Sequence, residues 1–333
     1  MNSYKSGNSL PNIGIVGATG LVGRTFLKVI EERNLLYNKL FLFASSKSAG
    51  EVIEFKGENF TVIEAAPDIF DNLDIALFSA GGAASLKLAP FAREKKCIVI
   101  DNSSAWRMVE GIPLVVPEVN PEAIKNHNYI IANPNCSTIQ LVAALKPLAD
   151  KYGLKRVVCS TYQSISGAGQ KGIDKLLQEL QGNFTDSKPI AFSTLFHSFD
   201  EGVDFTNEEI KMINETRKIL NLPNLQIAVT CVRVPTIGGH GESVNVELET
   251  DFDIEDIFRM YADTTGIILM DSPARDIYPT PAVSNDTDEV YVGRIRRDES
   301  VVSGLYLWVV ADNVRKGAAT NAVQIAEKIM MSH

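Results

Sequence analysis

The sequence predicts an α/β chain in two parts: a first domain around a parallel sheet and a second, α+β domain around a mixed sheet. Three observations predict it. The chain opens on a strand, a glycine turn and a helix. A cysteine at position 136 marks a second strand-to-helix junction. Beyond Pro147 the strand-like runs lengthen and alternate polar with apolar residues, as in a sheet with one face on helices. A length of 333 residues agrees with two domains of roughly 150 residues each. A hydrophobic content of 45% suffices for ordinary packed cores.

Residues 1–12 are polar and read as a short flexible lead-in without the apolar core of a signal peptide. Asn12-Ile13-Gly14-Ile15-Val16 is an apolar strand. It runs into Gly17-Ala18-Thr19-Gly20-Leu21-Val22-Gly23, and residues 24–32 continue as an amphipathic helix. In that setting the glycines let the backbone approach a pyrophosphate, and the helix N-terminus supplies amides to it; a tight turn without a ligand is the plainer alternative. Residues 39–44 form a second strand. Where a Rossmann domain for NAD places an acid at its end, this chain has Ser45-Ser46-Lys47-Ser48. Hydroxyls and an ammonium suit a 2′-phosphate and favour NADP, although Lys47 also reads as a solvated loop charge.

Strands are expected at 60–64, 73–79 and 97–101, with a small-residue turn at Ala80-Gly81-Gly82-Ala83-Ala84. Arg107, in Asp101-Asn102-Ser103-Ser104-Ala105-Trp106-Arg107, lies just past a strand's carboxyl end. Parallel sheets gather ligands there, but an ordinary surface arginine fits as well. The run 129–132 then delivers Asn133-Pro134-Asn135-Cys136-Ser137-Thr138 into a helix that Pro147 should end or kink. Asn133 or Asn135 can start the turn, and Ser137 or Thr138 can cap the helix. A thiol at that terminus is favoured as thiolate, hence as nucleophile. Cys97, Cys159 and Cys231 sit in strand-like runs and read as core.

In the second half, strand runs lie at 156–163, 225–234, 243–249 and 304–311, and a strong amphipathic helix at 317–330. Glu208 and Lys211 share one helix face, which by itself reads as a surface ion pair. Arg233 is central to Cys231-Val232-Arg233-Val234-Pro235. His240 is flanked by Gly238, Gly239 and Gly241, which leave its ring room against a ligand; a plain loop histidine is the alternative.

Together these segments resemble aspartate-semialdehyde dehydrogenase over nearly the whole chain. The resemblance rests on the order and spacing of the glycine turn 17–23, the 101–107 and 133–138 stretches, Gln163 with Ser166-Gly167-Ala168-Gly169, Glu208 with Lys211, residues 231–235, and His240. It implies Cys136 as the nucleophile that forms an acyl-thioester, His240 as general acid/base, and Gln163 orienting the acyl group. Arg233 would pair with the substrate α-carboxylate, Glu208 would place its amino end, and Arg107 and Lys211 would hold phosphate. Gly17, Thr19, Gly20, Leu21, Val22, Lys47, Ser48, Ser166, Gly167 and Asn313 would line the NADP site. The implied domains are 1–135 with the C-terminal helix 315–333 for NADP, and 136–314 for catalysis and dimerisation.

The implied reaction is NADPH-dependent conversion of L-aspartyl 4-phosphate to L-aspartate 4-semialdehyde and phosphate. It serves biosynthesis of lysine and diaminopimelate, threonine, methionine and isoleucine, in a cytoplasmic homodimer. Lys47, where the family often has arginine, and Gly238-Gly239, where bulkier residues are common, depart from its pattern. N-acetyl-glutamyl-phosphate reductase shares the thioester logic but would not need an acid such as Glu208 near an acylated amine. A silent NADP-binding regulator would not need Cys136, Gln163, Arg233 and His240 together. Four cysteines without paired spacing argue against disulfides or a metal site. A net charge of −9 argues against nucleic acid, and no apolar run reaches the ~20 residues of a membrane span.

Overall fold

The computed structural model describes residues 4, 7, 9–185 and 187–332, so most of the expected lead-in lies outside the described residues. Two compact units emerge: residues 1–134 with 318–333, and residues 135–317.

The first unit runs β1 (Asn12–Val16), α1 (Leu21–Glu32), β2 (Lys39–Ala44), β3 (Val52–Phe55), β4 (Glu58–Thr61), β5 (Ile63–Glu64), β6 (Ile75–Phe78), α2 (Gly82–Glu94), β7 (Ile98–Asp101) and β8 (Ile130–Ala132). Six strands pair in the order β5-β2-β1-β6-β7-β8, all parallel. Strands β1, β6, β7 and β8 are buried along their whole length, as in a sheet covered on both faces. The run expected as one strand at 60–64 is split between two sheets: β4 forms a hairpin with β3, and β5 joins β2. Helix α1 starts at Leu21, three residues before the amphipathic run suggested. Gly23 is therefore inside the helix, where a Cβ would lie 2.1 Å from the carbonyl oxygen of Gly17.

The second unit runs α3 (Cys136–Tyr152), β9 (Leu154–Gln163), α4 (Gln170–Leu180), β10 (Leu195–Phe196), α5 (Asn207–Leu220), β11 (Gln226–Arg233), β12 (His240–Leu248), α6 (Ile254–Ala262), β13 (Ile267–Leu269), α7 (Pro281–Ser284), β14 (Val290–Asp298) and β15 (Gly304–Ala311). Its seven strands pair in the order β10-β11-β9-β12-β15-β14-β13. Only β11–β9 and β13–β14 are parallel, so the sheet is mixed. Alternate residues of β9, β11, β12 and β15 face α3, α5 and α6, where Leu141, Leu145, Leu148, Met212, Ile257 and Tyr261 are buried. Tyr261 donates its hydroxyl to Ala144 O at 2.9 Å and so meets its one polar need inside that core. Pro147, expected to end or kink α3, lies inside a helix that continues to Tyr152. Leu148 and Tyr152 beyond it are buried, and their packing outweighs the lost backbone bond.

The chain returns to the first unit through a π-helical turn, Arg315–Thr320, and α8 (Asn321–Ser332). Ala322, Val323, Ile325, Ala326 and Ile329 join the core around β1, β6 and β7. Arg33 of α1 grips Glu327 of α8 by two N–H bonds of 2.8 Å.

Candidate active site

In the first unit, Gly17 sits at φ +93°, and the Gly17 and Ala18 amides bond Phe43 O. A Cβ on Gly17 would come within 2.5 Å of Ser79 O, so the turn needs glycine there. Gly20 is the cap of α1 without a side-chain bond to its amides, and the first turn carries no acid. That leaves the amides of Leu21, Val22 and their neighbours open to a phosphate, and these residues fit a dinucleotide. Lys47 is exposed past β2 and forms no ion pair with a described residue, while Ser48 is partly covered.

Arg107 is not a surface arginine. It is buried, and its Nε and Nη2 donate to Asn133 O at 2.9 Å and Asn102 O at 3.0 Å. Asn133 does not start the helix. Its amide ties Asn102 Oδ1 and Ala318 O to the strand end, and Asn321 donates back to it.

In the second unit the helix cap is Asn135, not Ser137 or Thr138. Its Oδ1 accepts from Ser137 N at 3.0 Å and Thr138 N at 3.3 Å. Cys136 is then the first helical residue, and it is partly exposed while Cys97, Cys159 and Cys231 are buried. The cap thus takes the Ser137 and Thr138 amides out of reach of an oxyanion. Asn135 is itself held: its N–H donates to Glu215 Oε2 at 2.7 Å and its Nδ2 to Glu208 Oε1 at 2.6 Å.

Three adjacent strands bring the partners to one place. Arg233 ends β11 opposite Gln163, which ends β9, and β12 begins at His240 beside Tyr162 and Gln163. Cys136 Sγ lies 3.4 Å from His240 Nε2. Gln163 Nε2 donates to Ser137 Oγ at 2.9 Å and reaches Thr161 Oγ1 and Glu208 Oε1 at 3.3 Å.

His240 is fully buried, and the backbone N–H of Ser164 donates to its Nδ1 at 3.1 Å. Ser164 Oγ stands 3.1 Å from the same nitrogen, so Ser164 covers Nδ1, and its amide favours the neutral tautomer with the proton on Nε2, facing sulfur. Burial pushes the ring's pKa down to about 3; the nearby Gly239 carbonyl works against that, and Arg233 adds to it.

Glu208 is the opposite case. Burial raises it, but the Lys211 ammonium at 3.2 Å, His197 and the Asn135 amide more than offset that and hold it at about 2. Glu208 and Lys211 thus form a half-buried pair inside the site rather than a surface bridge. Arg233 gives Nη1 to Ser164 O at 3.1 Å, and its other N–H groups have no partner among the described residues.

Ser164, Ser166 and Gly239 N all donate to Asn313 Oδ1, and Asn313 Nδ2 returns a bond to Ser166 Oγ. Room over the histidine comes from Gly167, where a Cβ would stand 3.1 Å from Arg233 and 3.7 Å from His240 Nε2. Gly238 and Gly239 do not supply it. They pack against Asn285 and Pro281, where a Cβ would fall within 2.3 and 2.7 Å of an oxygen, and Gly241 packs against the Trp308 ring, 2.6 Å from where its Cβ would be. Sequence reasoning missed Gly317, whose Cβ would meet Cys136 Cβ at 2.9 Å. It also missed Glu209, which caps α5 with Thr206 and takes the Cys231 amide. The Thr206-x-x-Glu209 capping box was a signal in plain view.

The family model "Semialdehyde dehydrogenase, NAD binding domain" matches residues 12–127, and "Semialdehyde dehydrogenase, dimerisation domain" matches residues 145–316. A curated relative from Aquifex aeolicus, an aspartate-semialdehyde dehydrogenase, is 50% identical over 96% of this chain and 97% of its own. A crystal structure of aspartate semialdehyde dehydrogenase II from Vibrio cholerae, complexed with ASA, superposes with a TM-score of 0.92 at 45% identity, covering 100% of both chains. An aspartate semialdehyde dehydrogenase from Candida albicans, solved with NADP, has a TM-score of 0.77 at 25% identity over 96% of this chain and 98% of its own.

Proposed function

The chain belongs to the aspartate-semialdehyde dehydrogenase family, and from that premise we propose that it makes L-aspartate 4-semialdehyde from L-aspartyl 4-phosphate through a thioester on Cys136, with NADP as cofactor. The observation that carries this reading is the 3.4 Å approach of Cys136 Sγ to His240 Nε2 at the start of a capped helix.

The Cys136 thiolate attacks the acyl phosphate carbon, the C–O bond to phosphate breaks, and phosphate leaves with the electron pair. Arg107 and Lys211 offset phosphate charge. Arg233 turns its unpartnered N–H groups to the substrate α-carboxylate, where a planar guanidinium binds bidentately. Glu208, ionised throughout the working range, faces the ammonium. Bound NADPH supplies a hydride to the thioester carbon. The resulting oxyanion collapses to the aldehyde and returns the electron pair to sulfur, so this half-reaction consumes no proton. A neutral His240 with Nε2–H suits it as a hydrogen-bond donor to the oxyanion and then to the departing thiolate. Gln163 fixes the acyl group. Gly17, Thr19, Gly20, Leu21, Val22, Lys47, Ser48, Ser166, Gly167 and Asn313 would hold the cofactor.

The direct test is reduction of NADP by the full-length protein with L-aspartate 4-semialdehyde and phosphate, beside the N-acetylated five-carbon semialdehyde. Absence of turnover with the first, or preference for the second, refutes the reading. NADP should be preferred to NAD, because a well-formed bond from Lys47 to the 2′-phosphate is worth ~1.5–3 kcal/mol. Lys47→Ala should narrow the ratio of specificity constants by roughly tenfold or more. An unchanged ratio would place the discrimination elsewhere.

A homodimer is part of the same reading and rests on the 145–316 match to a dimerisation domain. Light scattering at micromolar protein should give twice the chain mass of 36.5 kDa, and a monomer mass would contradict it. No helix among the described residues is long and apolar enough to cross a membrane. A cytoplasmic place in amino-acid biosynthesis completes the reading.

A further inference from the structure

Behind the reacting pair lies a second pair with no assigned role. Gln140 follows Cys136 by four residues on α3, so both lie on one helix face. Glu242 follows His240 by two residues on β12, so both lie on one strand face. The two faces meet: Cys136 reaches His240, and one turn further on Gln140 reaches the carbonyl of Val309, the register partner of Glu242 on β15.

Both side chains of this second rung are fully buried. Gln140 Nε2 donates to the carbonyls of His240 at 3.3 Å and Val309 at 3.4 Å. Gln140 Oε1 and both carboxylate oxygens of Glu242 are buried without a hydrogen-bond partner among the described residues. Flipping the Gln140 amide does not help, because Oε1 would then face two carbonyl oxygens. One proton on Glu242 turns a cluster of acceptors into a donor and an acceptor. Burial drives the Glu242 carboxyl the same way, well above the ordinary range, and outweighs the Gln140 side chain, which favours the charged form and pulls the other way; buried Cys159 beside it offers no countercharge.

We propose that Glu242 is a positioning residue, carried as the neutral acid, whose hydroxyl donates to Gln140 Oε1 and so fixes the cysteine helix against the histidine strand. Through Gln140 the bond ends on the backbone carbonyl of His240 itself, and the spacing of sulfur and imidazole depends on it. The inference rests on Cys136 and His240 being the reacting pair.

The test compares the full-length protein with Glu242→Gln, which keeps a donor, and Glu242→Leu, which fills similar volume without one. Infrared spectra at neutral pH should show the carbonyl stretch of a buried protonated acid, and Glu242→Gln should remove it. Alkylation of Cys136 by iodoacetamide, followed by intact mass, should run at the wild-type rate in Glu242→Gln and at an altered rate in Glu242→Leu. Turnover should follow the same order: Glu242→Gln close to wild type with an unchanged pH profile, Glu242→Leu down ~10²-fold with KM little changed. The proposal is overturned by absence of the protonated band, by Glu242→Gln failing as badly as Glu242→Leu, or by Glu242→Leu behaving as wild type. The infrared and alkylation readings need no substrate. If they come out as expected while aspartate semialdehyde is not turned over, the substrate assignment fails and the positioning role stands.

Discussion

Cys136→Ser is expected to abolish turnover, by on the order of 10⁴–10⁶-fold, the scale on which removal of a covalent nucleophile acts. A serine hydroxyl is a far weaker nucleophile at neutral pH, and as an alkoxide it is a poor leaving group when the reduced adduct collapses. Oγ would occupy the same first position of α3, capped by Asn135, so fold and NADP affinity should survive. The checks are steady-state rate, NADP titration, and intact mass after incubation with aspartate semialdehyde and NADP without phosphate. Wild type should gain one acyl group and the variant none. An adduct on Cys97, Cys159 or Cys231 would contradict the assignment; all three are buried, and burial raises the pKa of Cys159 and Cys231.

His240→Ala should retain a measurable rate, down ~10²–10⁴-fold, the range in which one positioned acid, base or donor contributes. The variant should still accumulate acyl-enzyme, more slowly. Because the ring's pKa is pushed down to about 3, His240 stays neutral across the working range. The wild-type rate should therefore show no limb near the ordinary histidine value of ~6.5. A limb there that disappears in His240→Ala would mean the ring works as a proton-transferring acid or base instead. The sign for stability follows from the same shift. Between ~6.5 and about 3 the unfolded chain binds a proton that the folded chain refuses, so stability falls as pH falls through that window. His240→Ala should flatten this part of the dependence, measurable by urea unfolding at several pH values.

Much of the architecture was legible because its causes are local. The strand, glycine turn and helix at 12–32 follow from apolar runs and from a turn at Gly17 that tolerates no side chain. The strand-to-helix junction at Cys136 follows from an apolar run, an asparagine and helix-forming residues in that order. Local rules failed where packing decided. Pro147 did not stop α3, because the buried residues after it hold the helix in place. The stretch 60–64 was divided between two sheets by its pairing partners, which lie elsewhere in the chain.

For the site, the sequence by itself determined which residue types were present and in what order: a thiol, an imidazole, a glutamine, an acid with a lysine, and an arginine. It could not determine what each one faces. Arg107 read as an exposed arginine until its buried contacts with Asn102 and Asn133 appeared, and Glu208–Lys211 read as a surface pair. The glycines before His240 looked like room for a ring, whereas they make room for Asn285 and Pro281. The amide that meets His240 Nδ1 comes from 76 residues away, and the Gln140 amide reaches the His240 carbonyl from a helix one hundred residues upstream. Hydrogen-bond direction and burial belong to atoms brought together from distant parts of the chain, so only the tertiary structure sets them. A tautomer or a buried proton follows from that arrangement rather than from composition or spacing.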